Sequence, residues 1–313
     1  MSASPFCLTD AILYSVLCYH SIMIDNEKLC DLRQRASRVK LFATDLDGTL
    51  HDGRHMLSQE NREALLALSD KGIILVCATG RSRSSIPAAI TDIDCIKYLI
   101  TANGARIHLN GTDEIISEKF LEFSALEYIR PFFDDDEVMC EVFWDGVPHV
   151  EEKRYHDARD YGVPRWFSDY FFKSRIPLKD FEKEAFDNAG IIENINFVFG
   201  KESAQNRILS FLKERTDLYE LTSSFPFNYE IGGIGVSKGA ALDLISKREG
   251  VLPEEIIAFG DNENDVTMIE YAGIGVAVAN AVPRAIEAAD LVTEHDNNNS
   301  AVAEALKLLQ LID

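Results

Sequence analysis

Short apolar runs that end in polar residues alternate with helical patterns at the start of this chain, and this alternation constrains the fold most strongly. The runs VKLFATD, IILVCATG and KYLITANGA predict buried strands. Between the first two, Ser58 and Gly72 bound a predicted helix at 57–69, and another helix is predicted to begin after Gly80. Strands separated by helices form parallel sheets, so we predict a β-α-β-α-β unit.

The alternation stops at about residue 111 and resumes after residue 225. The intervening segment is richer in aromatic and acidic residues, with a predicted hairpin turn at Asp145-Gly146 and a predicted helix at 203–215. The later stretch again alternates, and it predicts helices at 238–248, from about 265, at 285–288 and at 301–311, and strands at 256–260, 273–278 and 291–293.

Together the two flanks predict one α/β domain, a doubly wound parallel sheet of the Rossmann-like type, formed by residues 39–110 and 226–313. Residues 111–225 are predicted to form an inserted α+β cap domain. Residues 1–38 precede the first core strand, and their apolar run between Asp10 and Asp25 predicts one helix without an assigned role.

Composition excludes several classes of partner. The 313 residues include 52 acidic and 31 basic side chains, a net charge of -21 that repels nucleic acid and anionic lipid. The longest apolar stretch, at 11–24, is shorter than the ~20 residues that span a bilayer, so no membrane association is predicted. Six cysteines lie far apart without a C-x-x-C pair, which predicts reduced thiols in a cytoplasmic protein.

Polar residues follow the predicted strands where parallel sheets bind ligands. Asp45 and Asp47 lie at the end of the first strand, close enough to divide nucleophilic and acid/base roles, although a capping loop would look the same. Thr79-Gly80 ends the second strand and offers a hydroxyl and an amide to an anion, or a simple helix cap.

Two further features lie in the later stretch. Lys238 opens a helix where the sheet pattern resumes, and it is either a fixed cation for a phosphate or an ordinary surface lysine. Residues 260–265, GDNEND, form an acidic and amide-rich strand end whose oxygen atoms suit Mg²⁺. This run lacks the glycine and glutamate of an EF-hand calcium loop.

In order and content these features resemble the haloacid dehalogenase (HAD) superfamily of phosphotransferases. DLDGT, ATGR, SKGAAL and GDNENDVTM are similar to its four motifs, and the insertion resembles the type IIB cap of the Cof-type sugar-phosphatase branch. TANGA and VAVANA are also similar to that branch, and the resemblance covers residues 39–313. The chain differs in having Val278-Ala279 before Asn280, where Met-Gly is common, and in lacking Asp-Gly-Val before Ala301.

The resemblance implies a Mg²⁺-dependent phosphatase that hydrolyses small-molecule phosphate monoesters, whether sugar, cofactor or nucleotide phosphates, through an aspartyl-phosphate. Asp45 would be the nucleophile and Asp47 the general acid and base. The metal would be held by the Asp45 carboxylate, the Asp47 backbone carbonyl and Asp261, while Asp265 would orient Lys238 or a metal ligand. The phosphate would be held by the Leu46 and Gly80 amides, Thr79, Lys238 and Asn264.

Three other functions use similar residues. A phosphomutase or other phosphotransferase would share the nucleophile, and a receiver-type signalling module would also phosphorylate an aspartate on a parallel sheet, without the insertion. A sugar-phosphate sensor would keep the fold without catalysis. In the cap, Trp144, Arg154, Tyr155 and Trp166 are candidates for substrate contact, with core packing or surface stacking as the alternative.

Overall fold

Two β-sheets organise the chain in the computed structural model, which describes residues 25–313. The strands are β1 (Leu41–Asp45), β2 (Ile74–Ala78), β3 (Ile96–Thr101), β4 (Arg106–Leu109), β5 (Ile115–Glu118), β6 (Val138–Trp144), β7 (Val147–Glu151), β8 (Ile176–Leu178), β9 (Ile192–Phe199), β10 (Glu220–Thr222), β11 (Asn228–Gly232), β12 (Ile256–Gly260), β13 (Ile274–Ala277) and β14 (Leu291–Val292).

The α-helices of the described residues surround these sheets. They are α1 (Asn26–Ala36), α2 (Gln59–Asp70), α3 (Ala88–Thr91), α4 (Phe123–Ile129), α5 (Glu152–His156), α6 (Arg165–Ser174), α7 (Phe181–Asp187), α8 (Glu202–Lys213), α9 (Lys238–Glu249), α10 (Val266–Tyr271), α11 (Pro283–Ala288) and α12 (Ala301–Leu308). Between residues 25 and 313, no helix is both long and apolar enough to cross a membrane.

The larger sheet has the order β14-β13-β12-β1-β2-β3-β4-β5. Its strands are parallel from β14 to β3, and β4 and β5 follow as antiparallel edge strands. Successive residues of β1 point to opposite faces of the sheet. Phe42 packs in one apolar cluster with residues of α2 and α12, and Ala43 packs in another with residues of α9. Both faces are covered by helices, and the predicted doubly wound α/β fold is confirmed.

The smaller sheet has the order β10-β11-β9-β6-β7-β8. Residues of α4, α7 and α8 pack in one apolar cluster with alternate residues of β6 and β9. Strands β6 and β7 are joined at Asp145 and Gly146, whose φ angles of 51° and 71° match a two-residue hairpin turn. The predicted hairpin is confirmed.

At both predicted boundaries between core and cap, near residues 111 and 225, one strand belongs to the other sheet than predicted. β5 pairs with β4 in the larger sheet, although residues 111–225 were assigned to the cap. β11 pairs with β9 in the smaller sheet, although residues from 226 were assigned to the core. Both strands follow turns whose composition does not indicate which sheet they join, because that choice depends on long-range pairing.

The predicted helix after Gly80 is wrong. A short 3₁₀ turn at 83–85 and the single turn of α3 occupy this segment instead. Pro87 explains the difference, because it restricts Ile86 to extended backbone, at φ -75° and ψ 128°, and would break a helix begun at Arg81. The Gly80 amide, which was expected at a helix N-terminus, therefore lies in a loop.

An N-terminal helix, α1, lies at the edge of the core. Asp25 caps it, and Leu32 and Ala36 are buried against the larger sheet's cluster. Arg33 donates to the Leu308 carbonyl at 2.9 Å and Arg35 forms an ion pair with Asp290 at 3.0 Å. The predicted helix between Asp10 and Asp25 lies outside the described residues, whereas α1 itself was not predicted.

Candidate active site

Three neighbouring strands, β12, β1 and β2, end at the same edge of the larger sheet. Asp45 is the last residue of β1, and Thr79 and Asp261 directly follow β2 and β12. Since parallel strands present their carboxyl ends side by side, these side chains meet in one cavity. Asp47, two residues beyond β1, also lines it.

Lys238 is fully buried beneath this edge. It is the first residue of α9, whose N-cap Ser237 accepts a hydrogen bond from the Ala240 amide. The Lys238 Nζ donates to Asp45 Oδ1 and to Asp265 Oδ1, both at 2.5 Å. Burial lowers the pKa of Lys238, but these two carboxylates outweigh burial and raise it, so the ammonium stays charged.

Asp265 orients its neighbours with both carboxylate oxygens. Oδ1 accepts from Lys238, and Oδ2 accepts from the backbone amides of Asp261 at 2.9 Å and Asn262 at 3.0 Å. These bonds shape the loop after β12 and hold Asp261 toward Asp45. With both oxygens engaged in these bonds, Asp265 positions Lys238 and the loop after β12.

Three carboxylates lie close enough together to form a possible cation-binding site. Oxygen atoms of Asp45, Asp261 and Asp265 all lie within 4.8 Å of one another. Burial raises the pKa of Asp45, and burial together with Asp265 raises the pKa of Asp261 to about 8. The single ammonium of Lys238 does not offset this charge, and an all-oxygen donor set of this kind fits a hard divalent cation such as Mg²⁺.

The turn after β1 brings the backbone against Asp261. Gly48 has a φ of +86°, and a Cβ atom there would collide with the Asp261 carboxylate. The next residue, Thr49, donates from Oγ1 to Asp261 Oδ1 at 2.8 Å. The DLDGT segment therefore supplies two carboxylates and also positions a third from another strand.

Asp47 has a different environment from Asp45. Arg81 binds it with two donors, Nε to Oδ2 at 2.5 Å and Nη2 to Oδ1 at 2.6 Å, and His55 Nδ1 lies 2.8 Å from Oδ1. Burial raises the pKa of Asp47, but the Arg81 guanidinium outweighs burial and holds it well below its usual range. In this arrangement Asp47 is an ionised carboxylate.

The remaining predicted phosphate-binding residues surround the same edge. Thr79 Oγ1 accepts from the Arg81 amide at 3.1 Å, and Leu46 and Gly80 follow Asp45 and Thr79 in the chain. Asn264 Nδ2 donates to Asn103 Oδ1 at 3.0 Å and to Ser224 Oγ at 3.2 Å. Asn264 therefore connects the core edge to the cap loop that carries Ser224.

The smaller sheet closes the cavity from above. Together with α6 and the neighbouring cap loops, this sheet contributes both apolar and polar lining residues, which are Glu141, Phe143, Val163, Phe167, Tyr170, Phe171, Arg175, Asn196, Val198, Ser224, Phe225, Phe227, Asn228 and Glu230. The four cap residues predicted to contact substrate are absent from this lining. Trp144 stacks on His149, Arg154 pairs with Glu151, Tyr155 packs against Phe171, and Trp166 lies exposed beside Phe225.

Several site residues were missed from the sequence. Arg81 and Asn103 lie in the segments ATGR and TANGA, and the sequence does not predict a role for either. Asn103 has a φ of 57° and donates to the buried carboxylate of Glu230, which joins the core to the cap. A signal existed for Asn196 and Glu230, because polar residues alternate with apolar ones in NINFVF and NYEI.

Comparisons with known proteins agree with this geometry. Residues 42–306 match the family model of haloacid dehalogenase-like hydrolases. A Bacillus subtilis protein named 5-amino-6-(5-phospho-D-ribitylamino)uracil phosphatase YcsE is 30% identical over 269 residues, which cover 86% of this chain and 95% of that protein.

Solved structures share the fold. A haloacid dehalogenase-like hydrolase from B. subtilis superposes with a TM-score of 0.76 at 27% identity, covering 86% of this chain and 99% of that one. A HAD subclass IIB sugar phosphatase has a TM-score of 0.72 at 23% identity, covering 88% of this chain and all of that one. The second likeness concerns the fold alone.

Proposed function

Since the chain belongs to the haloacid dehalogenase-like hydrolases, we propose that it is a Mg²⁺-dependent phosphatase that transfers phosphate from a small-molecule monoester to Asp45 and then to water. The observation that carries this proposal is the meeting of Asp45, Asp47, Thr79, Lys238 and Asp261 at one buried sheet edge. The substrates are sugar phosphates or cofactor and nucleotide phosphates.

In the first half-reaction an Asp45 oxygen attacks phosphorus in line, the bond from phosphorus to the ester oxygen breaks, and Asp47 donates a proton to that oxygen. In the second, water attacks phosphorus while Asp47 takes its proton, and the bond to Asp45 breaks. Phosphate leaves and both carboxyls return to their starting states.

The proposed roles of the residues that hold charge are those that the family resemblance implies. Lys238, Thr79, Asn264 and the Leu46 and Gly80 amides bind the transferring oxygens. The Asp45 and Asp261 carboxylates and the Asp47 backbone carbonyl would hold Mg²⁺, which lowers the repulsion between Asp45 and the anionic phosphate. Asp265 keeps Lys238 in place by its 2.5 Å contact.

Asp47 needs a proton to act as an acid, so its pairing with Arg81 must loosen in the substrate complex. The position of Arg81 fits this requirement. Its guanidinium lies on the cavity wall, 4.3 Å from the ring centroid of the cap residue Tyr170, where a bound substrate can contact it. A leaving group that enters between cap and core would reach Arg81 and Asp47 together.

The test measures phosphate release from a panel of monoesters with Mg²⁺. We expect release by the wild type, loss of release with a chelator, and loss in Asp45→Asn. Asp94→Asn, an exposed aspartate outside the site, is the matched control and should match the wild type. Release that survives in Asp45→Asn would refute the role of Asp45, and transfer to an added alcohol or sugar without phosphate release would indicate a phosphotransferase.

The proposed location is the cytoplasm. Cys30, Cys77, Cys95 and Cys140 are free thiols in the described part of the chain, which agrees with a reducing compartment. The net charge of -21 supports a small-molecule partner over nucleic acid or membranes.

A further inference from the structure

A carboxylate of the cap, Glu230, lies on the cavity wall and is 5% exposed. Among residues 25–313 it pairs with no lysine, arginine or histidine, and its partners are four neutral donors. These are Ser224 at 2.6 Å, Asn228 at 2.8 Å, Asn194 at 3.0 Å, and Asn103. A carboxylate beside a phosphate site repels the ligand, so its presence there indicates a use other than direct contact with the substrate.

Two of these donors connect Glu230 with the proposed phosphate site. Asn264 Nδ2 donates to Asn103 Oδ1 at 3.0 Å and to Ser224 Oγ at 3.2 Å. Asn264, Asn103, Glu230 and Ser224 therefore form a closed hydrogen-bonded ring. Asn264 and Asn103 belong to core loops after β12 and β3, whereas Glu230 and Ser224 belong to the cap.

Glu230 determines the direction of the hydrogen bonds in this ring, because an ionised carboxylate accepts hydrogen bonds and never donates them. Asn103 turns its amide nitrogen to Glu230, so its oxygen faces Asn264. Ser224 gives its hydrogen to Glu230, so its oxygen accepts from Asn264. An amide that rotates by half a turn keeps its shape, so these two acceptors and not packing direct the NH₂ group of Asn264.

This direction concerns phosphate because the ring lies beside Gly80, whose amide is proposed to bind it. A Cβ atom at Gly80 would lie 3.1 Å from both Asn103 Oδ1 and Ser224 Oγ, the two atoms to which Asn264 donates. A phosphate oxygen that enters beside Gly80 replaces one of these acceptors, and the other keeps the amide in place. A reversed Asn264 would present its carbonyl oxygen to the anion.

We propose that Glu230 is a positioning residue for the phosphate site, which acts through Asn103 and Ser224 to keep the NH₂ group of Asn264 directed at the phosphate. The inference rests on the proposed function for the phosphate-binding role of Asn264. Because Glu230 and Ser224 belong to the cap, the core site has this hydrogen-bonding direction only when the cap lies against it.

The test is Glu230→Gln, which keeps the size of the side chain but replaces one acceptor oxygen by a donor. We expect the Kd of inorganic phosphate, measured by calorimetry with Mg²⁺, to rise about ten- to a hundredfold, the loss of one hydrogen bond to an ionised group. Charge alone predicts the opposite, since removing a carboxylate near an anion should tighten its binding. An unchanged or lower Kd would overturn the proposal.

Glu193→Gln is the matched control. Glu193 is also a buried cap carboxylate, it pairs with Arg106 of the core, and it does not line the cavity. A general loosening between cap and core would affect both variants, whereas loss of the direction of Asn264 affects Glu230→Gln alone. We expect the phosphate Kd of Glu193→Gln to match the wild type, and an equal rise in both variants would contradict the positioning role.

Asn103→Gly tests the route independently, also in case Glu230→Gln does not fold. Glycine adopts the φ of 57° found at Asn103, and its substitution removes the link between Glu230 and Asn264. The phosphate Kd should rise in this variant too, and adding Glu230→Gln should raise it little further, because residues of one network are not additive. Fully additive effects, or an unchanged Kd in Asn103→Gly, would overturn the route.

Phosphate binding separates this proposal from the reaction, because it is measured without turnover. Weaker binding in Glu230→Gln supports the positioning role even if the wild type hydrolyses no ester, which would refute the reaction alone. Turnover by the wild type with a phosphate Kd that Glu230→Gln leaves unchanged would refute the positioning role and leave the reaction standing. If the wild type binds no phosphate with Mg²⁺, the positioning role is wrong whether or not esters are hydrolysed.

Discussion

The environments of Asp45 and Asp47 differ because their partners differ. Asp45 faces an ammonium that it shares with Asp265, whereas Asp47 has the whole guanidinium edge of Arg81 and the His55 ring. Two carboxylates at one strand end can therefore take separate roles without different residue types.

Asp47→Asn should keep the site's shape but remove its proton donor and acceptor. We expect kcat to fall by about 10²-fold or more, the usual contribution of general acid–base catalysis, while binding of inorganic phosphate is kept. Steady-state phosphate release measures the rate and calorimetry the binding. A rate near that of the wild type would contradict the assigned role.

Lys238→Met should destabilise the fold as well as stop the reaction. The change leaves the buried carboxylates of Asp45 and Asp265 without their cation, and breaking such a pair costs about 3–5 kcal/mol. Urea unfolding measures the loss, which should shrink with saturating Mg²⁺. Lys247→Met, on the same helix with its side chain 71% exposed, is the control, and we expect a change below about 0.5 kcal/mol.

At the scale of elements, the turn after β1 contacts the loop that follows the neighbouring strand β12. Gly48 allows the approach to Asp261, and Thr49 holds that carboxylate by a 2.8 Å hydrogen bond. Sheet order makes this possible, since β1 lies between β2 and β12.

Comparison of Gly48→Ala with Gly72→Ala distinguishes a loss of stability from backbone strain, which both variants share, from a displacement of Asp261, which only Gly48→Ala causes. Both glycines have positive φ, +86° and +77°, so each change costs about 1–2 kcal/mol of stability. Only the Cβ at position 48 meets Asp261; nothing lies within 4 Å at position 72. We expect Mg²⁺-dependent activity to be lost in Gly48→Ala alone, and equal activity in the two variants would contradict the proposed metal site.

At the scale of the whole molecule, the cap and the core are joined by hydrogen bonds and ion pairs at several places. The Ser84 amide donates to the Gly146 carbonyl at 3.0 Å, and Asn262 Nδ2 donates to the Ser224 carbonyl at 2.8 Å. A buried ion pair, Arg106 to Glu193 at 3.3 Å, links β4 of the core with β9 of the cap. In this arrangement Asp45 is 5% exposed, and a substrate that enters between cap and core must displace some of these contacts.

The contribution of Asp261 to the stability of the metal-free protein should fall as pH rises from about 4 to about 8. Burial and Asp265 raise the pKa of Asp261 from 3.8 to about 8. Within that window the folded state keeps a proton that the unfolded chain has lost, so rising pH favours unfolding. The lowered pKa of Asp47 acts below pH 3.8, outside this window.

Saturating Mg²⁺ should remove most of this dependence, because the ion binds ionised carboxylates and displaces the proton. Thermal unfolding at a series of pH values, with and without the ion, measures the effect. The difference in stability between the wild type and Asp261→Asn isolates this contribution, because the buried histidines His51 and His108, whose lowered pKa values act in the opposite direction, are common to both proteins. A difference that does not change over this window would contradict the assigned environment of Asp261.

The sequence by itself determined the parallel core and the strand ends that carry Asp45, Thr79 and Asp261. Local patterns suffice for these features, since buried strands, the Ser58 and Ser237 caps and the Asp145-Gly146 turn depend on neighbours in the chain.

Only the tertiary structure decided which distant residues complete the site. Arg81 meets Asp47, and Glu141 meets Arg175 and Asn196, through pairings between segments far apart in sequence. The sheet to which β5 and β11 belong is also such a choice. Hydrophobic periodicity reports whether a face is buried but not what it is buried against, so these contacts have no local signal.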